Sequence, residues 1–164
     1  MNVQIRPFQI DDAQTILDII NYNILHSTSL YDYTPRNLEQ QVAILNEKLK
    51  KGFPVIVAIS NGVLVGFAYY SEFRFREAYK YTVEHSVYVH PDHTAKGIGK
   101  LLLTELIAIA IENNLHTMIG VIDSENTNSI AFHETFGFTN QGVLKETVFK
   151  FDRWLHSVLM QKML

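Results

Sequence analysis

The segment from Val83 to Leu103 constrains this chain more than any other, because it combines four local patterns in a fixed order. An apolar stretch, VEHSVYV, is followed by Pro91, then by a Gly97-Ile98-Gly99 turn, then by a long apolar run. This order predicts a strand, a stop, a glycine turn and a helix. Such an arrangement presents free backbone N–H groups at a helix N-terminus, where anions bind. The first hypothesis is therefore a ligand that carries phosphate.

The bulk composition is typical of a soluble globular protein. The 164 residues include 47% apolar and 19% charged residues, with a net charge of −3, so we expect residues 1–164 to form a single domain. Acidic and basic residues are interspersed, which argues against nucleic acid or an anionic membrane as a partner. The absence of cysteine excludes disulfides, thiolate zinc sites and cysteine nucleophiles. With no apolar signal core and no run long enough to span a bilayer, the sequence predicts a cytoplasmic protein.

Periodicity and turn residues predict eleven elements in the order β-α-α-β-β-β-α-β-α-β-β. Asn61-Gly62 lies between two apolar runs and favours a hairpin with a type I′ turn. Antiparallel strands at both ends of the chain argue against a purely parallel sheet, so we expect an α/β fold with a mixed sheet and helices on both faces. The predicted strands cover 3–6, 54–60, 63–71, 82–89, 117–122, about 146–151 and 154–161. The first predicted helix begins after Asp11 and Asp12, and the other three cover 36–51, 97–114 and 129–136.

Two nucleotide-binding motifs are excluded at the glycine turn. A P-loop needs glycine where this chain has Thr94 and a hydroxyl side chain where it has Leu101. A dinucleotide fingerprint needs a third glycine where this chain has Leu102. A glycine-rich helix start without any ligand is the remaining alternative, because Gly-x-Gly alone is a weak pattern.

The residues of the turn nevertheless suit a bulky anion. Gly97 and Gly99 allow the backbone to approach a ligand closely. Lys96 and Lys100 add positive charge beside a helix N-terminus that already favours anions. A pyrophosphate group fits this description.

Several separated motifs then resemble one enzyme superfamily. The strand, the basic glycine turn and the following helix resemble motif A of the GCN5-related N-acetyltransferases (GNAT), and NTNSIAFHETFGF at 126–138 resembles motif B. The segment RFREAYKYTVEHSVYV and the tail LKETVFKFDRWLHSVLMQ resemble the phosphinothricin (L-amino acid) N-acetyltransferase family, so that the similarity covers nearly the whole chain. Thr94 and His156 depart from the usual pattern of that family.

The resemblance implies a GNAT fold, a homodimer with the acceptor site near its interface, acetyl-CoA as co-substrate and no metal. The implied acetyl-CoA contacts are Val87, Tyr88, Val89, Ala95, Lys96, Gly97, Ile98, Gly99, Lys100, Asn126 and Ser129. Asn126 would bind the pantetheine amide, with a turn or cap residue as its alternative role. Backbone N–H groups near Val87 to Val89 would stabilise the oxyanion.

The candidate general base is Glu84. Alternation along the strand places Val83, His85 and other apolar positions on one face, and Glu84 on the opposite face. A carboxylate there can accept the proton of an amine, directly or through water, and the resemblance places the general base at this position. The alternative is a solvated or ion-paired glutamate of ordinary structural type.

The resemblance also implies roles for residues outside this strand. His133 stands where the wider superfamily often has a tyrosine that protonates the leaving thiolate, so it can donate a proton or only a hydrogen bond. Arg76, Ala78 and Tyr79 lie on the loop that the family uses for substrate, and Arg76 can pair with an amino-acid carboxylate. Tyr31 is a further candidate for the acceptor pocket, although loop charges and aromatics can also be purely structural.

A metal site is not expected. His85, His90 and His93 lie close in sequence, but no carboxylate partner stands at a familiar ligand spacing. We therefore expect direct acetyl transfer in a ternary complex to the α-amino group of a small L-amino acid or analogue such as phosphinothricin, methionine sulfone or methionine sulfoximine. The alternatives are a protein N-terminal or polyamine acetyltransferase, which the basic loop 72–80 disfavours for polyamines, and a non-catalytic module that binds acetyl-CoA.

Overall fold

The computed structural model describes residues 2–164, which form a seven-stranded sheet with helices on both faces. The strands are β1 (Val3–Pro7), β2 (Val55–Ser60), β3 (Val63–Glu72), β4 (Thr82–Val89), β5 (Thr117–Asp123), β6 (Thr139–Lys150) and β7 (Arg153–Met163). The helices are α1 (Ala13–His26), α2 (Leu38–Lys50), α3 (Ile98–Glu112) and α4 (Thr127–Glu134). Within 2–164, none of these helices combines the length and the hydropathy that a bilayer crossing requires.

The sheet is mixed, as the sequence predicts. Its strand order is β1-β2-β3-β4-β5-β7-β6. β4 and β5 run parallel, whereas the other neighbouring strands run antiparallel. The predicted order of helices and strands is confirmed, and the β2–β3 hairpin turns through Asn61 (φ 50°) and Gly62 (φ 79°), as a type I′ turn requires.

Each face of the sheet has its own apolar layer. α3 packs Leu102, Leu103 and Leu106 against one face, and α1 packs Ile16, Ile20 and Ile24 against the other. Gly66 of β3 allows α3 to lie close to the sheet, because a Cβ there would stand 2.8 Å from the carbonyl oxygen of Tyr88 and 3.1 Å from Leu102. The two layers fix β4 in the middle of the molecule.

The sequence underestimates the last strands. The structure starts β6 at Thr139, seven residues before the predicted start near Glu146. Most of β6 is exposed, and bulges between Asn140 and Gly142 and between Leu144 and Val148 interrupt its pairing with β7. An edge strand with bulges lacks the alternating apolar pattern on which the prediction depends.

Candidate active site

The centre of the molecule contains a cleft where β4 and β5 separate. Their parallel pairing joins Thr82 to Thr117 and Val83 to Met118, and it ends with Glu84 opposite Ile119. Beyond this point a cavity of about 550 Å³ opens between the two strands, the turn before α3 and the first turns of α4. The cleft can therefore admit an extended ligand between two strands of one sheet.

Backbone N–H groups of β4 face this cleft. The N–H of His90 donates to the carbonyl of Val65 on β3 at 2.9 Å. Because N–H directions alternate along a strand, the N–H groups of Val87 and Val89 point to the β5 side, where the ladder has already ended. They are available to donate to an oxygen atom of a ligand.

The glycine turn leaves room for an anion at the N-terminus of α3. Ala95 (φ 59°) and Gly97 (φ 78°) adopt the left-handed conformation that turns the chain into the helix. A Cβ at Gly99 would lie no closer than 3.7 Å to Phe132 or Val89. Protein packing does not require glycine at 99, so its missing side chain keeps the helix N-terminus accessible to a bulky group.

Of the two lysines at this turn, Lys100 lines the cavity and Lys96 does not. The ammonium of Lys96 donates to the backbone carbonyl of Asp92 at 2.9 Å. Of the two lysines expected to flank the anion, only Lys100 therefore borders the cavity in this structure. The side chain of Lys96 instead stabilises the turn that precedes α3.

Two buried imidazoles meet at the inner wall of the cavity. His133 Nδ1 lies 2.6 Å from the backbone oxygen of Ser129, and His133 Nε2 lies 3.1 Å from His85 Nε2. A carbonyl oxygen only accepts, so we assign the His133 proton to Nδ1, and His85 donates its Nε2–H to His133 Nε2. Burial lowers the pKa of His133, and burial together with the charge of His133 lowers the pKa of His85 to about 3. Both rings are therefore neutral near pH 7.

Glu84 points to the other face of the sheet and is partly buried there. Burial raises the pKa of its carboxyl group, and the positive charges of Arg74 and Lys48 oppose this change. Glu84 does not line the cavity, but its neighbour two residues along the same face, Ser86, does. The carboxylate thus stands beside the cleft with a pKa shifted towards neutral pH, as a general base requires.

The phenol of Tyr31 is partly buried and lies within range of the charges of Asp123 and Glu84. Burial raises the pKa of Tyr31, the negative charges of Asp123 and Glu84 raise it further, and the Ser157 hydroxyl opposes them. Tyr31 does not line the cavity itself, so its place in the acceptor pocket stays a prediction.

The loop that carries Tyr31 is held by contacts that the sequence does not reveal. The buried ammonium of Lys150 donates to the backbone oxygens of Ser27 at 2.7 Å and Leu30 at 2.5 Å. The hydroxyl of Tyr33 donates to the backbone oxygen of Phe149 at 2.5 Å. These contacts attach the loop after α1 to β6, so that Thr28 and Ser29 reach the wall of the cavity.

A family model described as "Acetyltransferase (GNAT) family" matches residues 20–138. The chain belongs to the GNAT acetyltransferase family. The "L-methionine sulfoximine/L-methionine sulfone acetyltransferase" of Salmonella typhimurium is 37% identical over 150 residues, which are 92% of this chain and 88% of that protein. The "Phosphinothricin N-acetyltransferase" of Alcaligenes faecalis is 37% identical over 159 residues, which are 96% of this chain and 81% of that protein.

Solved structures show the same family. The phosphinothricin acetyltransferase of Sinorhizobium meliloti in complex with AcCoA superposes with a TM-score of 0.96 at 36% identity, covering 100% of this chain and 89% of that one. The protein is thus a GNAT N-acetyltransferase in both sequence and fold, and the fold and enzyme class expected from the sequence are confirmed.

In this GNAT enzyme, most of the residues expected to contact the cofactor gather around one cavity. Those that line it are Val87, Tyr88, Val89, Ala95, Gly97, Ile98, Gly99, Lys100, Asn126 and Ser129, and the catalytic candidate His133 lines it as well. Arg76, Ala78 and Tyr79 are exposed and do not line it. The guanidinium of Arg76 instead lies over the ring of Phe75, 4.9 Å from its centroid.

Sequence reasoning missed other residues of the GNAT cleft. His85 was predicted on the apolar face and rejected as a metal ligand, and Gly120, Phe132 and Asp123 were assigned no role, although all four line the cavity. Gly120 could have been found, because an isolated glycine inside a strand indicates a close approach of another group. A Cβ at that position would lie 3.1 Å from His85 Nε2 and 3.4 Å from His133.

Proposed function

We propose that this GNAT enzyme transfers the acetyl group of acetyl-CoA to the α-amino group of a small L-amino acid or analogue, of the methionine sulfone, methionine sulfoximine or phosphinothricin type. The observation that carries the proposal is the β4–β5 cleft with Glu84 beside it. The names of the Salmonella and Alcaligenes relatives support the choice of acceptor.

The residues around the cavity fit acetyl-CoA. When bound, this co-substrate supplies the acetyl group as a thioester. The backbone N–H groups at the start of α3, together with Lys100, would hold its pyrophosphate. The Asn126 side chain accepts a hydrogen bond from the Ser129 N–H at 3.1 Å. The amide NH₂ of Asn126 consequently stays free to donate to a pantetheine carbonyl.

Glu84 would take the proton from the ammonium of the acceptor, directly or through water. Its raised pKa makes it a better proton acceptor near neutral pH than an exposed glutamate. The N–H groups of Val87 and Val89 would donate to the oxygen on which negative charge develops. With no cysteine in the chain, direct transfer between the two substrates is the proposed route.

The geometry of His133 favours a hydrogen-bonding role over an acid role. Both ring nitrogens already have partners, Ser129 O and His85 Nε2. Burial also lowers the pKa of His133, so the imidazolium that a proton donor needs is scarce at neutral pH.

Acceptor binding is proposed for Tyr31 and for the loop with Arg76, Ala78 and Tyr79. This loop is exposed in the single chain, and Phe75 beside it is 82% exposed. Trp154 and Leu144 on the β6–β7 hairpin are also exposed. A homodimer that covers such apolar groups and completes the acceptor site, in the cytoplasm, is part of the proposal.

The test is an acceptor panel with purified protein and acetyl-CoA, in which mass spectrometry identifies the products. The panel contains L-methionine sulfone, L-methionine sulfoximine, phosphinothricin, ordinary L-amino acids, polyamines and short peptides. The proposal expects a single acetyl group on the α-nitrogen of one or more amino acids. Exclusive turnover of polyamines or peptides would replace the acceptor class, and acetyl-CoA binding without any turnover would support a non-catalytic module.

A further inference from the structure

The contact between His85 and His133 links the two sides of the cleft. His85 belongs to β4 and His133 to α4, and each side chain is 7% exposed. The hydrogen bonds run from His85 Nε2–H to His133 Nε2 and from His133 Nδ1–H to the backbone oxygen of Ser129. A continuous polar chain therefore connects the strand that carries Glu84 with the helix that borders the cofactor cavity.

The surroundings hold both rings in one arrangement. The ring of Phe138 lies 5.4 Å from His85 and 5.2 Å from His133, measured between centroids. On the side of β5, Gly120 leaves just enough space, because a Cβ would stand 3.1 Å from His85 Nε2. The two imidazoles consequently have little freedom to rotate.

Stability alone does not account for a histidine at position 85. Its Nδ1 is buried and has no hydrogen-bond partner among residues 2–164. A buried polar atom without a partner costs free energy that an apolar side chain of similar size would avoid. Val83, on the same face of β4, shows that this layer accepts an apolar residue. The reason for a histidine at this position is therefore sought in the hydrogen bond that its Nε2–H donates to His133 at the wall of the cleft.

We propose that His85 is a positioning residue for acetyl transfer, which orients the imidazole of His133 at the inner end of the cleft by donating its Nε2–H to His133 Nε2. This inference rests on the proposed function. Without the donor, His133 would keep only its hydrogen bond to the Ser129 oxygen, so its ring could tilt about that bond and change the shape of the cavity wall that it forms. A small misplacement of this kind lowers the rate of the reaction more than the affinity for the distant pyrophosphate.

The first test compares His85→Gln with His85→Leu. The Gln side chain retains an N–H donor, whereas Leu has similar bulk and none. We expect His85→Leu to lower kcat about 10- to 100-fold with the KM for acetyl-CoA changed less than about threefold, and His85→Gln to keep most of kcat. If both variants lose kcat and melting temperature equally, or if His85→Leu keeps wild-type kcat, the inference is wrong.

The second test does not depend on turnover. Long-range ¹H–¹⁵N spectra of ¹⁵N-histidine-labelled protein report which ring nitrogen carries the proton. We expect His133 as the Nδ1–H form and His85 as the Nε2–H form, both neutral at pH 7, because burial disfavours the charged imidazolium. Because the Ser129 oxygen still accepts from His133 Nδ1–H, the tautomer should persist in both variants, but the His133 Nε2 resonance should shift in His85→Leu, where its donor is lost, and stay near its wild-type position in His85→Gln.

The two tests separate the possible failures. A wild-type protein that shows the expected tautomers but acetylates no acceptor contradicts the proposed function, and the positioning role with it, while leaving the histidine contact intact. A wild-type protein that is active but lacks the expected tautomers, or whose His133 Nε2 resonance is unchanged in His85→Leu, overturns the positioning role alone.

Discussion

Glu84 of β4 and Ile119 of β5 form the last parallel pair between these strands, and the cavity opens directly beyond it. The candidate base therefore stands at the point where the sheet stops being continuous. Val87, whose N–H faces the cleft, follows three residues later, at a distance of about 10 Å along the strand. In the proposed reaction, this spacing would leave room for the acceptor amine and a water molecule between the Glu84 carboxylate and the carbonyl group of the thioester.

The pH dependence of kcat/KM should show the titration of the Glu84 carboxyl group. Burial raises its pKa, and only the ionised carboxylate accepts a proton, so kcat/KM should fall as pH decreases through this raised pKa. The acid limb should lie above the value of about 4.3 typical of exposed glutamate. Steady-state rates from pH 5 to 9 measure it.

The matching variant is Glu84→Gln. It should lower kcat/KM by about 10²- to 10⁴-fold and remove this acid limb. An acid limb that persists unchanged in Glu84→Gln would assign the titration to another group.

Gly99→Ala should weaken acetyl-CoA binding without destabilising the free protein. The added methyl group finds ordinary contacts at 3.7 Å in the protein but projects into the space proposed for the pyrophosphate. We expect the Kd for acetyl-CoA to rise about tenfold, which corresponds to about 1.4 kcal/mol. Titration calorimetry measures the Kd, and thermal unfolding measures stability.

The contrasting variant for this turn is Gly97→Ala. Gly97 has φ 78°, where alanine is strained by about 1–2 kcal/mol. Gly97→Ala should therefore lower the melting temperature, and Gly99→Ala should not. Equal binding by Gly99→Ala and wild type would place the pyrophosphate elsewhere.

The ion pair between Arg6 and Asp12 should make stability depend on pH. The Asp12 side chain is 8% exposed, and burial alone would raise its pKa. Hydrogen bonds from Arg6 at 2.7 and 2.8 Å and from the Gln9 N–H at 2.8 Å outweigh burial, so the net pKa is lowered. A lowered carboxyl pKa stabilises the fold at neutral pH, and this contribution is lost as pH falls through the folded-state pKa.

Asp12→Asn tests this contribution by urea unfolding at two pH values. At pH 7 we expect a loss of about 2 kcal/mol in the free energy of unfolding, which shrinks below about pH 4. The exposed neighbour supplies the control, since Asp11→Asn should change stability by less than about 0.5 kcal/mol. A loss that is the same at both pH values would contradict the electrostatic origin.

Lys150→Met should loosen the loop after α1. The ammonium of Lys150 bonds the backbone oxygens of Ser27 and Leu30, and methionine retains the length but not the donors. We expect a loss of about 1–3 kcal/mol and faster hydrogen exchange at residues 27–31. Lys145→Met, an exposed position on the same strand, should do neither. Unchanged exchange in Lys150→Met would show that other contacts hold the loop.

Patterns formed by residues close together in the sequence predicted most of the fold. The Asn61-Gly62 hairpin, the glycine turn before α3 and the alternation that places Glu84 opposite the apolar face of β4 each depend on a few adjacent residues. The first half of β6 was not predicted, because bulges before Gly142 and before Val148 interrupt the alternation of its side chains. A bulged edge strand shows its boundaries only when its partner is known.

The contacts in the site between residues far apart in the sequence could not be predicted from it. His85 and His133 lie 48 positions apart, and their hydrogen bond exists because β5 has a glycine between them. Lys150 reaches a loop some 120 residues earlier in the chain. Sequence periodicity carries no information on such pairs, so His85 and Lys150 had no role in the site, and His133 had a role from the family resemblance but no partner.

The most direct test of the central claim measures coenzyme A release with acetyl-CoA and L-methionine sulfone for the wild type and Glu84→Gln in parallel, with acetyl-CoA affinity determined by calorimetry on both proteins. The account predicts turnover by the wild type, loss of turnover in the variant and equal affinity for acetyl-CoA. Turnover by Glu84→Gln at the wild-type rate would contradict the assignment of Glu84 as the base. Tight acetyl-CoA binding by a wild-type protein that acetylates no amino acid or analogue would contradict the proposed reaction itself.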